Sequence, residues 1–260
     1  MRPLLLAPVL VLAGGCIVID EMECRHREER RAVVPLPANL SEVEVRALAG
    51  SLTVRGRAGA TEVRVDGVAC ARRMRDRDAI QLETRTDGDR IVVEAMVPEN
   101  AARRGARLDL TIEVPASTRV EIDDGSGDIE IEDVAAAEVV DGSGDLLVRR
   151  VAGDVSIRDQ SGDIVVDGAA EVRVDDHSGD IAIERAGAVT IINDDSGDIE
   201  ILTIAGDVTV LDDGSGDIEI LDVGGNLKVE DDGSGDVEFA GVRGTVDVPR
   251  DERSRRDDDD

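Results

Sequence analysis

The tripeptide Ser-Gly-Asp recurs at Ser126, Ser143, Ser161, Ser178, Ser196, Ser215 and Ser234, at spacings of 17, 18, 17, 18, 19 and 19 residues. Self-similarity at a short fixed period is the signature of stacked repeats and outranks any local reading. Each repeat divides in two. In SGDIEILTIAGDVTVLDDG (196–214) a turn leads into alternating Ile199, Ile201 and Ile204. A second turn, Ala205-Gly206-Asp207, leads into Val208 and Val210. Alternation at period two is what a half-buried strand requires. The pattern repeats as Leu146, Val148, Val151, Val155 and Ile157, as Ile218, Ile220, Val223, Leu227 and Val229, and as Val237, Phe239, Val242, Val246 and Val248. Two strands of about four residues cannot hold an independent core. Stacked coil on coil about 4.8 Å apart they can, because each buried Ile or Val contributes about 1.5–3 kcal/mol. The expectation is an all-β, single-domain parallel β-solenoid (β-helix), right-handed by default, with coils of about 18 residues and two short strands each. Glycine supplies turn conformations that other residues resist, and neighbouring Asp and Ser can hydrogen-bond the turn backbone.

The rest of the chain is divided by composition. MRPLLLAPVLVLAGGC has one Arg before a short apolar run and reads as an export signal over residues 1–15. Leu12-Ala13-Gly14-Gly15-Cys16 resembles a bacterial lipoprotein signal, which implies lipid attachment at Cys16 and, with Ile17 rather than Asp following, the outer membrane. Residues 16–32 read as a charged tether and 33–120 as irregular early coils of the solenoid, with RRMRDRD (72–78) and PENAARRGAR (98–107) as loops. Residues 121–248 are the regular coils, and 249–260 a disordered charged tail. In an oxidising compartment the remaining pair, Cys24 and Cys70, can form a disulfide that pins the N-terminal segment; two unpaired thiols are the alternative.

Charge excludes some partners. The chain has 30 Lys+Arg against 59 Asp+Glu, a net charge of −29. Nucleic acid is not an expected ligand, since binding phosphates needs a basic footprint. With no Trp, no Tyr and one Phe there is no aromatic platform for stacking bases or sugars.

Several phrases together carry a family resemblance: SEVEVRALAGSLTVRG, LDLTIEVPAST (108–118), and the serial SGDIEI and AGDVTV units. Over about residues 35–248 the chain resembles the bacterial "putative adhesin" β-solenoid family, a domain of unknown function. The resemblance implies the solenoid fold and an association with cell-surface adhesion or envelope-stress systems.

No catalytic group is assigned. His177 stands in DDHSGD where other coils carry Gly, and His26 has no second ligand nearby in sequence. Stacking is expected to align Asp128, Asp145, Asp163, Asp180, Asp198, Asp217 and Asp236 in one ladder, and Asp124, Asp141, Asp159, Asp176, Asp195, Asp213 and Asp232 in a second. Like charges at this spacing repel by about 1 kcal/mol per pair even in water. Turn hydrogen bonds with ion screening, or calcium held by the first ladder, would offset that; no cofactor is required. Among outward positions Leu147, Val165 and Ala182 should lie side by side, a candidate contact ladder. The functional expectation is a non-enzymatic, lipid-anchored envelope protein presenting an acidic repetitive surface to a cell-surface or matrix ligand. The alternative is an envelope-stress module that captures cationic peptides or divalent cations such as calcium.

Overall fold

A computed structural model describes residues 24–249. Cys16, the export signal and nearly all of the charged tail lie outside them. The N-terminal strands are β1 (His26–Pro35), β2 (Glu42–Arg46), β3 (Leu52–Arg57), β4 (Glu62–Ala71), β5 (Gln81–Asp87), β6 (Arg90–Met96) and β7 (Arg107–Pro115). One-turn helices α1 (Met74–Asp78) and α2 (Glu99–Ala102) interrupt the two stretches read as loops. The coils continue as β8 (Arg119–Asp123), β9 (Ile129–Glu132), β10 (Ala136–Val140), β11 (Leu146–Arg149), β12 (Val155–Arg158), β13 (Ile164–Asp176) and β14 (Ile181–Asp194). They end with β15 (Ile199–Ile204), β16 (Val208–Val210), β17 (Ile218–Val223), β18 (Leu227–Val229), β19 (Val237–Ala240) and β20 (Val246–Asp247).

The solenoid has two faces, each a stack of parallel strands. One runs β7–β3–β9–β11, through the first halves of β13 and β14, to β15–β17–β19. The other runs β6–β2–β8–β10–β12, through the second halves of β13 and β14, to β16–β18–β20. Register follows the repeat: Ile164 pairs with Ile181, Ile181 with Ile199, and Ile199 with Ile218. The inward side chains are the alternating Val, Ile and Leu of the sequence pattern, buried from Leu146 through Val229.

The early coils depart from a sequential stack. The coil of β2 and β3 sits between the later β6–β7 coil and the β8–β9 coil. After β3 the chain turns through Gly59, whose φ is +74°, and leaves along β4. β4 pairs antiparallel with β7, β1 with β4, and β5 with β6, so this end of the stack is antiparallel. The stretch 26–32, read as tether, is part of β1, because its ten residues pair with all ten of β4. Cys24 and Cys70 form a disulfide with Cα atoms 5.3 Å apart, fastening the start of β1 to the end of β4.

The last coil also departs from the pattern. Phe239 is 43% exposed and Val246 42%, where every earlier coil buries the matching residue. Among the described residues no further coil covers them.

Candidate binding surface

The corner of each coil is built from Ser-Gly-Asp. Its glycine takes φ between +128° and +150° from Gly127 to Gly216. A Cβ on Gly179 would lie 2.0 Å from the carbonyl oxygen of Gly162, so the column of glycines is set by the closeness of stacked backbones. Immediately after it comes the first aspartate ladder, exposed throughout. Each carboxylate but the last, Asp236, accepts a hydrogen bond from the backbone N–H of the next aspartate in the stack. Asp145 N donates to Asp128 Oδ1 at 3.2 Å, Asp198 N to Asp180 Oδ1 at 3.0 Å and Asp217 N to Asp198 Oδ1 at 2.9 Å. The same bond joins Asp163 to Asp145, Asp180 to Asp163 and Asp236 to Asp217. These charge-assisted bonds offset the repulsion that stacking imposes. Among the described residues no group of three or more His, Cys, Asp or Glu side chains converges as metal ligands would.

The second ladder is not a surface feature. Asp124, Asp141, Asp159, Asp176, Asp194 and Asp213 are at most 4% exposed. Asp194, not Asp195, occupies the ladder, because the register shifts between Val174 and Asp175 and Ile192 is left without a partner. Asp195 is exposed and Asp232 half-exposed on the last coil. In the middle of the ladder one oxygen caps the turn: Gly142 N, Gln160 N and His177 N donate at 2.7 Å to Asp141, Asp159 and Asp176. The other oxygen, Oδ2, has no protein partner in any of the six. Burial, with neighbouring carboxylates adding to it, pushes Asp124 and Asp194 up to about 7 and Asp213 up to about 6. Burial likewise raises Asp141 and Asp176 to about 6 against the turn N–H bonds that lower them, and raises Asp159. His177 is an exposed turn residue bonded through its backbone.

The outward positions carry the clearest surface pattern. On the β9–β11–β13–β14–β15–β17–β19 face, one column reads Glu130, Leu147, Val165, Ala182, Glu200, Glu219 and Glu238. The structure thus sets Leu147, Val165 and Ala182 side by side, with Val165 39% exposed. Two residues along each strand, the neighbouring column reads Glu132, Arg149, Asp167, Glu184, Leu202, Leu221 and Ala240. Where the first column turns acidic, the second turns apolar. The result is one diagonal apolar stripe, Leu147–Val165–Ala182–Leu202–Leu221–Ala240, flanked by carboxylates. The sequence reading found its first half. The signal for the second half was present in the phrases IEILTI and IEILDV, whose second outward residue is Leu.

The family model described as Toastrack DUF4097 matches residues 22–188. A solved "putative adhesin" from Bacteroides fragilis NCTC 9343 is 14% identical, with a TM-score of 0.48 over 86% of this chain and 98% of that one. A "putative lipid binding protein" from Parabacteroides distasonis ATCC 8503 is 13% identical, with a TM-score of 0.46 over 86% and 98%. A "putative cell adhesion protein" from Clostridium sporogenes ATCC 15579 is 10% identical, with a TM-score of 0.31 over 85% and 99%. No curated protein matches the chain.

Proposed function

Because this chain belongs to the Toastrack DUF4097 family, we propose that it is a non-enzymatic cell-envelope lipoprotein, an adhesin-like rod that presents a repetitive acidic surface. Lipidation at Cys16 would tether it, with the outer membrane as its site. The diagonal apolar stripe carries the reading. Its six residues come from six successive coils whose registers are locked by main-chain pairing. A contact surface so held needs no ordering on binding, which removes one of the main costs of association.

The test is binding of the purified protein to intact cells and to immobilised matrix proteins, at about 0.15 and 0.5 M NaCl. Placing Glu at Val165 and at Leu221 should reduce binding about tenfold or more while leaving the thermal midpoint nearly unchanged. Binding unchanged by both substitutions sinks the reading.

The second reading, capture of cationic peptides or of divalent cations such as calcium, draws on the exposed aspartate ladder and its net charge. It predicts binding to any polycation that collapses between the two salt concentrations. For calcium it predicts a thermal midpoint raised by Ca²⁺ and not by Mg²⁺ at equal ionic strength.

A further inference from the structure

Consecutive coils turn one carboxyl each into the same corner of the core: Asp124, Asp141, Asp159, Asp176, Asp194 and Asp213. Main-chain bonds fix their spacing. Asp124 N donates to Val140 O at 2.9 Å, Asp141 N to Arg158 O at 2.9 Å and Asp159 N to Asp175 O at 3.0 Å. Asp176 pairs with Asp194, and Asp194 with Asp213. Parallel strands so joined lie about 4.8 Å apart. At Asp141, Asp159 and Asp176 the turn N–H bonds, all 2.7 Å, hold Oδ1 in the same place. These carboxyls therefore share one orientation, and their orphan oxygens stand in a column.

What faces the column is mostly acid. Its members act on one another: Asp141 on Asp124, Asp159 on Asp141 and Asp176, and Asp176 and Asp213 on Asp194. From the exposed ladder, Asp128, Asp145 and Asp198 face Asp141, Asp159 and Asp213. From the turns, Asp123 faces Asp124, Asp195 faces Asp194, and Asp212 and Asp232 face Asp213. The basic group among these neighbours is the exposed His177, beside Asp159 and Asp176. Buried charge without a partner is strongly destabilising, so this column has to be neutralised. A calcium ion takes about six to eight oxygens. The column offers one spare oxygen per coil along most of its length, and among the described residues no three acidic or histidine side chains converge. A proton needs only one oxygen to carry it and another to accept it.

We propose that the column is a proton-sharing ladder: a carboxyl protonated on its orphan oxygen donates to a carboxyl oxygen of the next coil, so that protons join the coils in series. Each proton comes from solvent and is held between two carboxylates, by an O–H bond on one side and a hydrogen bond on the other. The net charge rises by one for each proton bound. Six carboxyls make five junctions, so five shared protons leave the column with a single negative charge. Carboxylates that share a site titrate together, and the first proton is bound more tightly than an isolated carboxyl binds one. Burial acts in the same direction on every member, raising five of the six to about 6 or 7. The aliphatic core gives only non-directional contact between coils. Shared protons add directional bonds, so mild acid ties the solenoid coil to coil from Asp124 to Asp213. This inference is independent of what the diagonal stripe binds.

The experiment is infrared difference spectroscopy of the full chain in mild detergent, in H2O and in D2O, between about pH 9 and about pH 6, where ordinary carboxylates are ionised. The expected result is a deuterium-sensitive C=O stretch of protonated carboxyl at the lower pH, at the frequency of a hydrogen-bonded acid, lost at the higher. Absence of that band overturns the proposal and leaves water or a cation to satisfy the orphan oxygens. A band at the frequency of an isolated acid also overturns it, since the carboxyls are then protonated but not joined. Asp159→Asn is the companion variant. Its amide keeps the Gln160 N–H bond on Oδ1 and donates an N–H at every pH, as the protonated carboxyl does. Its urea midpoint should exceed that of the unaltered chain at about pH 8 and lose the advantage by about pH 5. Asp163→Asn removes the same charge from the exposed ladder and should show no such gain. Equal gains in the two variants mean general relief of charge and overturn the proposal, as does a midpoint for Asp159→Asn below that of the unaltered chain at about pH 8. The infrared measurement is made on the unaltered chain, so it decides the matter even if a variant fails to fold.

Discussion

Two aspartates close every regular corner, and they differ in what surrounds them. The exposed one spends an oxygen on the next coil's amide; the buried one leaves an oxygen orphaned. Its consequence for pH has a definite sign. The buried ladder's folded values, about 6 to 7, lie above the ordinary value near 3.8. Between those limits the folded state holds more protons than the unfolded chain, so stability rises as pH falls from about 8 toward about 4. Asp76 and Asp133 are held below the ordinary value, chiefly by hydrogen bonds from Arg104 and Arg150. Their contribution is lost as pH falls further. Urea midpoints should therefore peak near pH 4–5 rather than at neutrality, and a flat or opposite trend from pH 8 to 5 contradicts the buried placement. Gly179→Ala probes the same corner. A Cβ there meets the Gly162 carbonyl at 2.0 Å with φ at +138°, and should cost about 3 kcal/mol or more in chemical denaturation. The glycine and aspartate columns were legible in the sequence because they repeat at a fixed offset. Which aspartate of each pair turns inward was not. In DDSGD (194–198) a one-residue register shift decides it.

Between the strands of each coil lies a second corner without a constant residue type. Asp133, Arg150, Arg185, Thr203 and Asp222 occupy it at φ between +52° and +59°, and Gly168 and Gly241 take it at +88° and +74°. The column was invisible in the sequence, because no residue type repeats there. Backbone geometry is conserved along the stack while side chains vary. Some members stabilise their neighbours: Arg150 makes two hydrogen bonds to Asp133, at 2.8 and 2.9 Å. Thr203 is the poorest fit, since a β-branched side chain resists the left-handed region. Thr203→Gly should raise stability by about 0.5–1 kcal/mol, the relief of left-handed strain exceeding the added chain entropy. A thermal midpoint that falls would show that the Thr203 side chain makes a compensating contact. The parallel strands were legible from period-two alternation. The antiparallel β1, β4 and β5 alternate just as well, and alternation alone does not say in which direction a neighbour runs.

At the scale of the molecule, the regular coils touch only their neighbours, so stability should be close to a sum over coils and their interfaces. A chain ending at Glu230 removes the last coil and leaves β17 and β18 as the new end. It should still unfold in one cooperative transition by circular dichroism, with a lower midpoint. Loss of folded signal would mean that the open coil is part of an indivisible unit. The charge is as divided as the architecture. Residues 16–120 carry 18 acidic and 18 basic side chains, whereas 121–248 carry 35 and 7. Among the described residues most of the ion pairs accordingly lie in the antiparallel cap and the first coils, such as Arg104 with Asp76 at 2.7 Å.

The position of the β2–β3 coil also bears on the order of events as the chain is made. A polypeptide emerging from its N-terminus delivers this coil first, yet both of its neighbours come later: β6 and β7 on one side, β8 and β9 on the other. Until residue 115 has emerged the earliest coil lacks a complete neighbour on either side, and until residue 132 has emerged its second side stays open, with Val43, Val45, Leu52 and Val54 incompletely covered. Every regular coil after that can add to a finished template as it arrives. The slow, aggregation-exposed interval of this protein's life should thus fall within its first half, and a chaperone that holds nascent strands would have its work there.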